Sequence, residues 1–441
     1  MSAITQAFRD ADLRKKILIS IALIVLYRIG AQIPSPGVDY ASISGRLRDL
    51  TADSSSVYSL INLFSGGALL QLSIFAIGVM PYITASIIVQ LLTVVIPKFE
   101  ELKKEGQSGQ AKMDQYTRYL TLALALLQSA GIVALADRQQ LLGAGVQVLV
   151  DDASVWTLVV LVTTMTAGAI LVMWLGEIIT ERGVGNGMSL LIFAGIATRL
   201  PSDGANILSS SGGVVFGVVL AAVILLVIGV VFVEQGQRRI PVQYAKRMVG
   251  RRQYGGSSTY LPLKVNQAGV IPVIFASSLI YMPVLITQII HSGSTEVSDS
   301  WWQRNVIAHL QQPSSWQYIV MYFVLIIFFS YFYVSVQYDP NEQAENMKKY
   351  GGFIPGIRPG RPTAEYLGYV MNRLLFVGAL YLGFIAVLPN IALDLGVSGG
   401  GATGATPFGG TAILIMVSVA LTTVKQIESQ LLQSNYEGLL K

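Results

Sequence analysis

Two stretches of the chain carry the same unusual pattern: residues 78–88 read GVMPYITASII and residues 269–279 read GVIPVIFASSL. Gly78, Val79, Pro81, Ile83, Ala85 and Ser86 recur as Gly269, Val270, Pro272, Ile274, Ala276 and Ser277. The chemistry open to such residues is exclusion rather than reaction. Val79 and Ile83 stand four apart, on one helical face that Ile87 continues, and Met188 with Ile192 repeats the spacing. With Ile274 as a partner, these side chains could form an apolar constriction. It would stop water and ions by dewetting while making no specific bond to a passing chain. Ordinary helix packing accounts for the same spacing, and spacing alone favours that plainer reading.

The elements that must hold these residues are membrane spans. Of the 441 residues, 53% are hydrophobic and 12% charged, about half the charge of a typical soluble domain. A bilayer core takes about 20 apolar residues as helix. Ten windows qualify, at 17–31, 72–96, 116–136, 155–179, 188–200, 214–233, 268–290, 316–336, 367–388 and 411–424. The fifth is the weakest, being short and opening in Gly183-Val184-Gly185-Asn186-Gly187, which predicts a tight turn. A basic segment precedes the first window as in a signal peptide, but Arg28 and the lack of a small-residue cleavage pattern favour a retained span.

Orientation follows from the 30 Lys and Arg residues. With the N-terminus inside, the outer segments carry only Arg46, Arg48, Arg138, Arg199 and Arg304, and Arg28 lies in the first span. The rest fall inside, which places both termini in the cytoplasm. Five spans per half is odd, so the second half (206–441) is inverted relative to the first (1–205), and the repeated segments run in opposite directions. Inverted repeats with broken helices meeting at the midplane are common in transport proteins.

The spans hold little that reacts. Cysteine is absent, which excludes disulfides and Cys-ligated metals, and His291 and His309 lie in no metal-ligand spacing. The centres of spans two, three, five, six, seven and ten contain no Asp, Glu or His. A secondary transporter of a small solute, the main alternative, usually needs such a coupling site. Glu177, beside Arg182, reads as an interfacial charge, and Arg28 can snorkel from the outer end of span one. An ion-channel filter and the paired Asp or Ser/His of an intramembrane protease are likewise missing.

Residues 58–70, YSLINLFSGGALL, are apolar but too short to cross. They fit a re-entrant half-helix ended by Gly66-Gly67 and shielded inside the protein. An interfacial helix on the outer face fits the pattern equally. Two inner loops, 234–267 and 338–372, are long, rich in Arg and contain Gly/Pro turns, which favours a docking surface over a bare topology signal. Residues 398–410 read as a flexible outer linker.

Over nearly its whole length the chain resembles the SecY/Sec61-alpha family, whose members form the core of the protein-conducting channel. The resemblance is carried by 62–69 (NLFSGGAL), 73–95, 106–118, 176–196 (GEIITERGVGNGMSLLIFAGI), 235–252, 260–278 (YLPLKVNQAGVIPVIFASS), 352–363 and 408–411. It implies an all-α polytopic membrane protein, with ten helices in two inverted five-helix halves around a central pore. It makes Val79, Ile83, Met188, Ile192, Ile274 and Ile415 the pore ring, with Val79 and Met188 standing where isoleucine is common. It makes Leu60, Ile61, Asn62, Leu63, Phe64, Ser65, Gly66 and Gly67, within 58–70, a plug.

Spans two, three, seven and eight would then form a lateral gate, where Ser86, Gln90, Gln128, Asn266 and Ser277 are polar groups able to pair when closed and release when a signal helix intercalates. Arg238, Arg239, Lys246, Arg247, Arg251, Arg252, Arg358 and Arg361 would dock the SecA motor and the ribosome, whose rRNA phosphates attract Arg. The resemblance further implies SecE and SecG as small membrane subunits, signal peptides and preproteins as substrates, YidC and SecDF as further partners, and the lipid of a bacterial plasma membrane as surroundings. It implies no catalytic residue, metal or cofactor.

Overall fold

The computed structural model describes residues 10–39, 65–69, 71–137, 149, 154–244, 247–249, 252–254, 258–291, 306, 308–310, 315–394 and 410–439. Long helices dominate. In chain order they are α1 (Ala11–Gln32), α2 (Met80–Val95), α3 (Pro97–Lys104), α4 (Gln107–Asp137), α5 (Val155–Arg182), α6 (Gly187–Gln235), α7 (Ile271–His291), α8 (Trp316–Gln337), α9 (Pro340–Lys349), α10 (Arg361–Asp394) and α11 (Gly410–Leu439).

Their boundaries are set by local chemistry. Asp10, Ser154, Asn186, Ser315 and Asp339 each offer a side-chain oxygen to a backbone N–H of the first turn of α1, α5, α6, α8 and α9, a cap that contributes about 1 kcal/mol. Pro97 separates α2 from α3, and the pair bends there by 100°. Along the spans, many hydroxyls are satisfied by the preceding turn: Thr84 donates to the Met80 carbonyl, Thr121 to Thr117 and Ser330 to Ile326. In hydrocarbon a hydroxyl without such a partner would cost several kcal/mol.

Each of the ten expected spans falls at least in part on helix. Among the described residues, six helices are long and apolar enough to cross a membrane, and the bent α2–α3 pair would make a seventh. The second half of α6, from Gly212, leaves Val214, Leu225 and Phe232 more than 70% exposed, as an all-round apolar helix does when lipid surrounds it. The expected fifth and sixth spans are joined by continued helix rather than a loop, broken only where Gly212 adopts φ 82°.

The repeated segment folds the same way twice. Gly78 (φ 59°) and Gly269 (φ 63°) both take the left-handed conformation, and a helix starts two residues later, at Met80 and at Ile271, with proline in its first turn. Glycine is the residue that adopts this backbone without strain. One expectation is corrected here. Span two does not begin at Leu72: residues 71–79 are a run of turns, and Leu72 itself has positive φ (43°) while fully buried.

Helix packing makes a closed circuit. α4 packs on α5, α5 on α6, α6 on α11, α11 on α10, α10 on α8 and α8 on α7, and α7 returns to both α4 and α2. α1 lies against α5, α6 and α11. Close crossings use small residues, as is usual where lipid gives no hydrophobic drive to association. A Cβ on Gly187 would lie 1.9 Å from the Gly176 carbonyl oxygen, so the α5–α6 turn closes only with glycine at position 187.

The all-α expectation needs one amendment. Strands β1 (Gln237–Tyr244), β2 (Arg247–Val249), β3 (Arg252–Tyr254), β4 (Ser258–Lys264) and β5 (Gly352–Phe353) form a three-stranded sheet in the order β4-β1-β5 and a small β2-β3 hairpin. β1 and β4 pair antiparallel from Gln237↔Lys264 to Gln243↔Ser258. Alternation drives it, because Ile240 and Val242 are buried while Arg239, Pro241 and Gln243 are exposed.

Candidate functional site

The six ring candidates lie on or next to four helices, α2, α6, α7 and α11. Val79 is the residue before α2 and Ile83 follows one turn later, its N–H bonding the Val79 carbonyl at 3.1 Å. Met188 and Ile192 occupy the first turns of α6, Ile274 the first turn of α7 and Ile415 the second turn of α11. All six are buried, none exceeding 8% exposure, and all belong to one continuous apolar cluster. The structure thus places all six predicted residues in the apolar core.

Of the predicted plug, Leu60, Ile61, Asn62, Leu63 and Phe64 lie outside the described residues. Ser65, Gly66 and Gly67 do not continue a helix; they form turns, with Gly66 and Gly67 at φ 66° and 93°. Ser65, Ala68 and Leu69 are buried, which favours shielding inside the protein over an interfacial position for this part. The segment is held from two sides. The Tyr27 hydroxyl donates to the Ser65 carbonyl (3.5 Å) and Arg28 Nη1 to the Gly66 carbonyl (3.1 Å). A Cβ on Gly66 would sit 2.8 Å from Gly195 Cα, on the helix that carries Ile192.

Arg28 therefore does not simply snorkel. Its guanidinium turns inward to satisfy a carbonyl of irregular backbone, a role the sequence reading missed. Glu177, expected as an interfacial charge, pairs with Arg118 of α4 at 2.8 Å.

Ser86, Gln90, Gln128 and Ser277 sit on adjacent helices, since α7 packs on both α2 and α4, and Asn266 lies in the bend that leads into α7. Their recorded bonds run elsewhere. Gln90 Nε2 donates to Ser86 Oγ along α2 (3.4 Å), and the buried Ser277 hydroxyl donates to the Ile274 carbonyl along α7 (2.8 Å). Gln128 is buried in α4. Asn266 Nδ2 reaches Glu234 Oε2 at the end of α6 (2.9 Å) and the Gly269 carbonyl (3.2 Å). Lys103 of α3 donates to the Val336 carbonyl in the last turn of α8, a favourable place for a cation.

The basic loops converge. β1, from the 234–267 loop, pairs with β5, from the 338–372 loop, through Gln243↔Phe353 and Tyr244↔Gly352. Arg238 and Arg239 are exposed on β1, and Arg358 is exposed beyond β5. Arg361 opens α10 and pairs with Glu365 at 3.1 Å, both largely exposed, so the contact adds little stability. Arg247 and Arg252 are on the β2-β3 hairpin, while Lys246 and Arg251 fall outside the described residues. Strand alternation around Ile240 and Val242 was the signal that could have revealed the sheet.

The plug contacts predict the effect of Gly66→Ala. A methyl group there meets backbone, and the left-handed conformation alone costs about 1–2 kcal/mol. In a chain with cysteine at position 68, thiol labelling should rise several-fold on adding Gly66→Ala and also on adding Arg28→Ala. Unchanged labelling in both would mean that these contacts do not hold the segment.

Comparison with known proteins agrees with this geometry. The SecY family model matches residues 73–424. The chain is 87% identical over 441 residues to the protein translocase subunit SecY of Corynebacterium glutamicum, covering 100% of both chains. Its fold is similar to that of a solved protein-conducting channel, with TM-score 0.65 and 18% identity over 94% of this chain and 91% of the other. It is also similar to Sec61 in the canine ribosome–channel complex from the endoplasmic reticulum, with TM-score 0.61 and 18% identity over 94% and 91%. The chain belongs to the SecY family of protein translocase subunits, multi-pass membrane proteins that conduct polypeptide.

Proposed function

We propose that Val79, Ile83, Met188, Ile192, Ile274 and Ile415 form the constriction through which this translocase passes an unfolded polypeptide. The observation that supports the reading is that all six are buried in the apolar core and are carried on or next to four different helices, α2, α6, α7 and α11. Aliphatic side chains seal against water and ions and yield to any sequence, because they offer it no bond to break. The turns at 65–69, pinned to α1 and lying against α6, belong to a plug that backs the seal.

The circuit can open toward lipid only at a seam between helices, and the seam where α7 meets α2 and α4 is our lateral gate. Ser86, Gln90, Gln128, Asn266 and Ser277 lie on or beside these helices. Through it, apolar segments would pass from the pore into the bilayer. The two halves, 1–205 and 206–441, are inverted repeats whose symmetry is supported by the matched left-handed glycines. Both termini lie in the cytoplasm of a bacterium and the spans in its plasma membrane.

The joined β-sheet of the two inner loops is the docking surface for the SecA motor and the ribosome, through Arg238, Arg239, Lys246, Arg247, Arg251, Arg252, Arg358 and Arg361. The canine relative's place in a ribosome–channel complex supports the ribosome as a partner. SecE and SecG complete the channel, preproteins with signal peptides are its substrates, and YidC and SecDF act with it on the membrane side.

Substituting Ile83, Ile192, Ile274 or Ile415 by Asn should wet the ring, raising ion conductance of the assembled channel in planar bilayers several-fold and relaxing signal-sequence selection. Parental conductance in all four variants would refute the ring. Arg358→Glu should abolish motor-driven translocation into vesicles while the channel still assembles, and full translocation would refute the docking role.

A further inference from the structure

One buried carboxylate has no part in the reading so far. Glu234, in the last turn of α6, is 7% exposed, and each of its oxygens accepts a hydrogen bond from a different element. Asn266 Nδ2 donates to Oε2 at 2.9 Å and Ser418 Oγ to Oε1 at 3.0 Å; both donors are also buried. A carboxylate at a helix C-terminus faces the unfavourable end of the dipole, so its retention in a buried place depends on these donors.

The geometry around it is closely determined. β1 starts just after Glu234 and β4 ends just before Asn266; the hairpin register Gln237↔Lys264 continues into the Val265 N–H to Gly236 carbonyl bond at 3.0 Å. The Glu234–Asn266 contact closes the base of that hairpin. Asn266 also donates to the carbonyl of Gly269, the left-handed residue from which α7 starts. Ile274 follows in the first turn of α7, and Ile415 lies one turn before Ser418 on α11. One side chain on α6 thus anchors the starting turn of one ring-bearing helix and the adjacent turn of another.

We propose that Glu234 is a positioning residue for the apolar ring: by tying Asn266 and Ser418 together it sets how closely Ile274 and Ile415 approach. This rests on the ring reading above. The carboxylate works as a fixed two-point acceptor. Glutamine can replace it, its carbonyl accepting from Asn266 and its amide donating to a rotated Ser418 hydroxyl; leucine cannot.

The test is a double-mutant cycle on ion conductance of the assembled channel with its small subunits in planar bilayers. Glu234→Leu and Ile274→Asn should each raise the leak several-fold, and their combination should fall well short of the product, since both act on the same seal. Glu234→Gln should conduct close to the parent. If Glu234→Leu does not assemble, Ser418→Ala takes its place in the same cycle, with a smaller rise. A leaky Ile274→Asn beside a silent Glu234→Leu or Ser418→Ala overturns the positioning role alone. Multiplicative effects, or a Glu234→Gln channel as leaky as Glu234→Leu, also overturn it. A silent Ile274→Asn removes the ring, and this inference with it.

Discussion

Backbone that leaves the helix inside a membrane must find its hydrogen bonds within the protein, because hydrocarbon supplies none. Here that constraint falls on residues 65–69 and 71–79, where the chain turns repeatedly. Several of its backbone groups find partners within the protein. The Ser35 N–H bonds the Leu72 carbonyl, the Ile74 N–H bonds the Ile33 carbonyl, Ser73 bonds Ala68, and Tyr27 and Arg28 reach the carbonyls of Ser65 and Gly66. α1 is thereby more than a peripheral span; it is the template on which the irregular segment is built.

The same constraint explains why the centre is otherwise apolar. A path for polypeptide must hold back ions when idle, and any fixed polar group lining it would invite water. The ring we propose avoids this with aliphatic side chains carried on or next to α2, α6, α7 and α11. The polar groups needed to fix those helices sit aside from the seal, in caps, in hydroxyl bonds to the preceding turn, and in the Glu234–Asn266–Ser418 knot. Separating fixing from sealing lets the seal stay soft while its supports stay firm.

Much of this was legible in the residues. The duplicated Gly-x-x-Pro segment announced two matched helix starts, and both glycines do adopt the left-handed backbone. The i, i+4 spacing of Val79 with Ile83 and of Met188 with Ile192 placed each pair on one face, while Ile415 entered only through the family resemblance. What escaped notice depended on long-range partners. Leu72 looks like the start of an apolar helix, and only its contacts with residues 33–35 show it in a turn. Arg28 looked like a snorkelling cation because its partner, a backbone carbonyl, has no sequence signature. Glu234 looked like a loop residue because Ser418, its second donor, is 184 positions away. The β1–β4 hairpin was the avoidable omission, since its alternation is local.

The central claim, that polypeptide passes through a ring containing Ile83 and Ile274, is tested most directly by crosslinking. The chain has no cysteine of its own, so single cysteines at positions 83, 274 and, as a lipid-facing control, 225 can be compared against a stalled translocating polypeptide bearing one thiol-reactive group. The ring predicts strong adducts at 83 and 274 and none at 225. Adducts at 225 with none at 83 or 274 would contradict it.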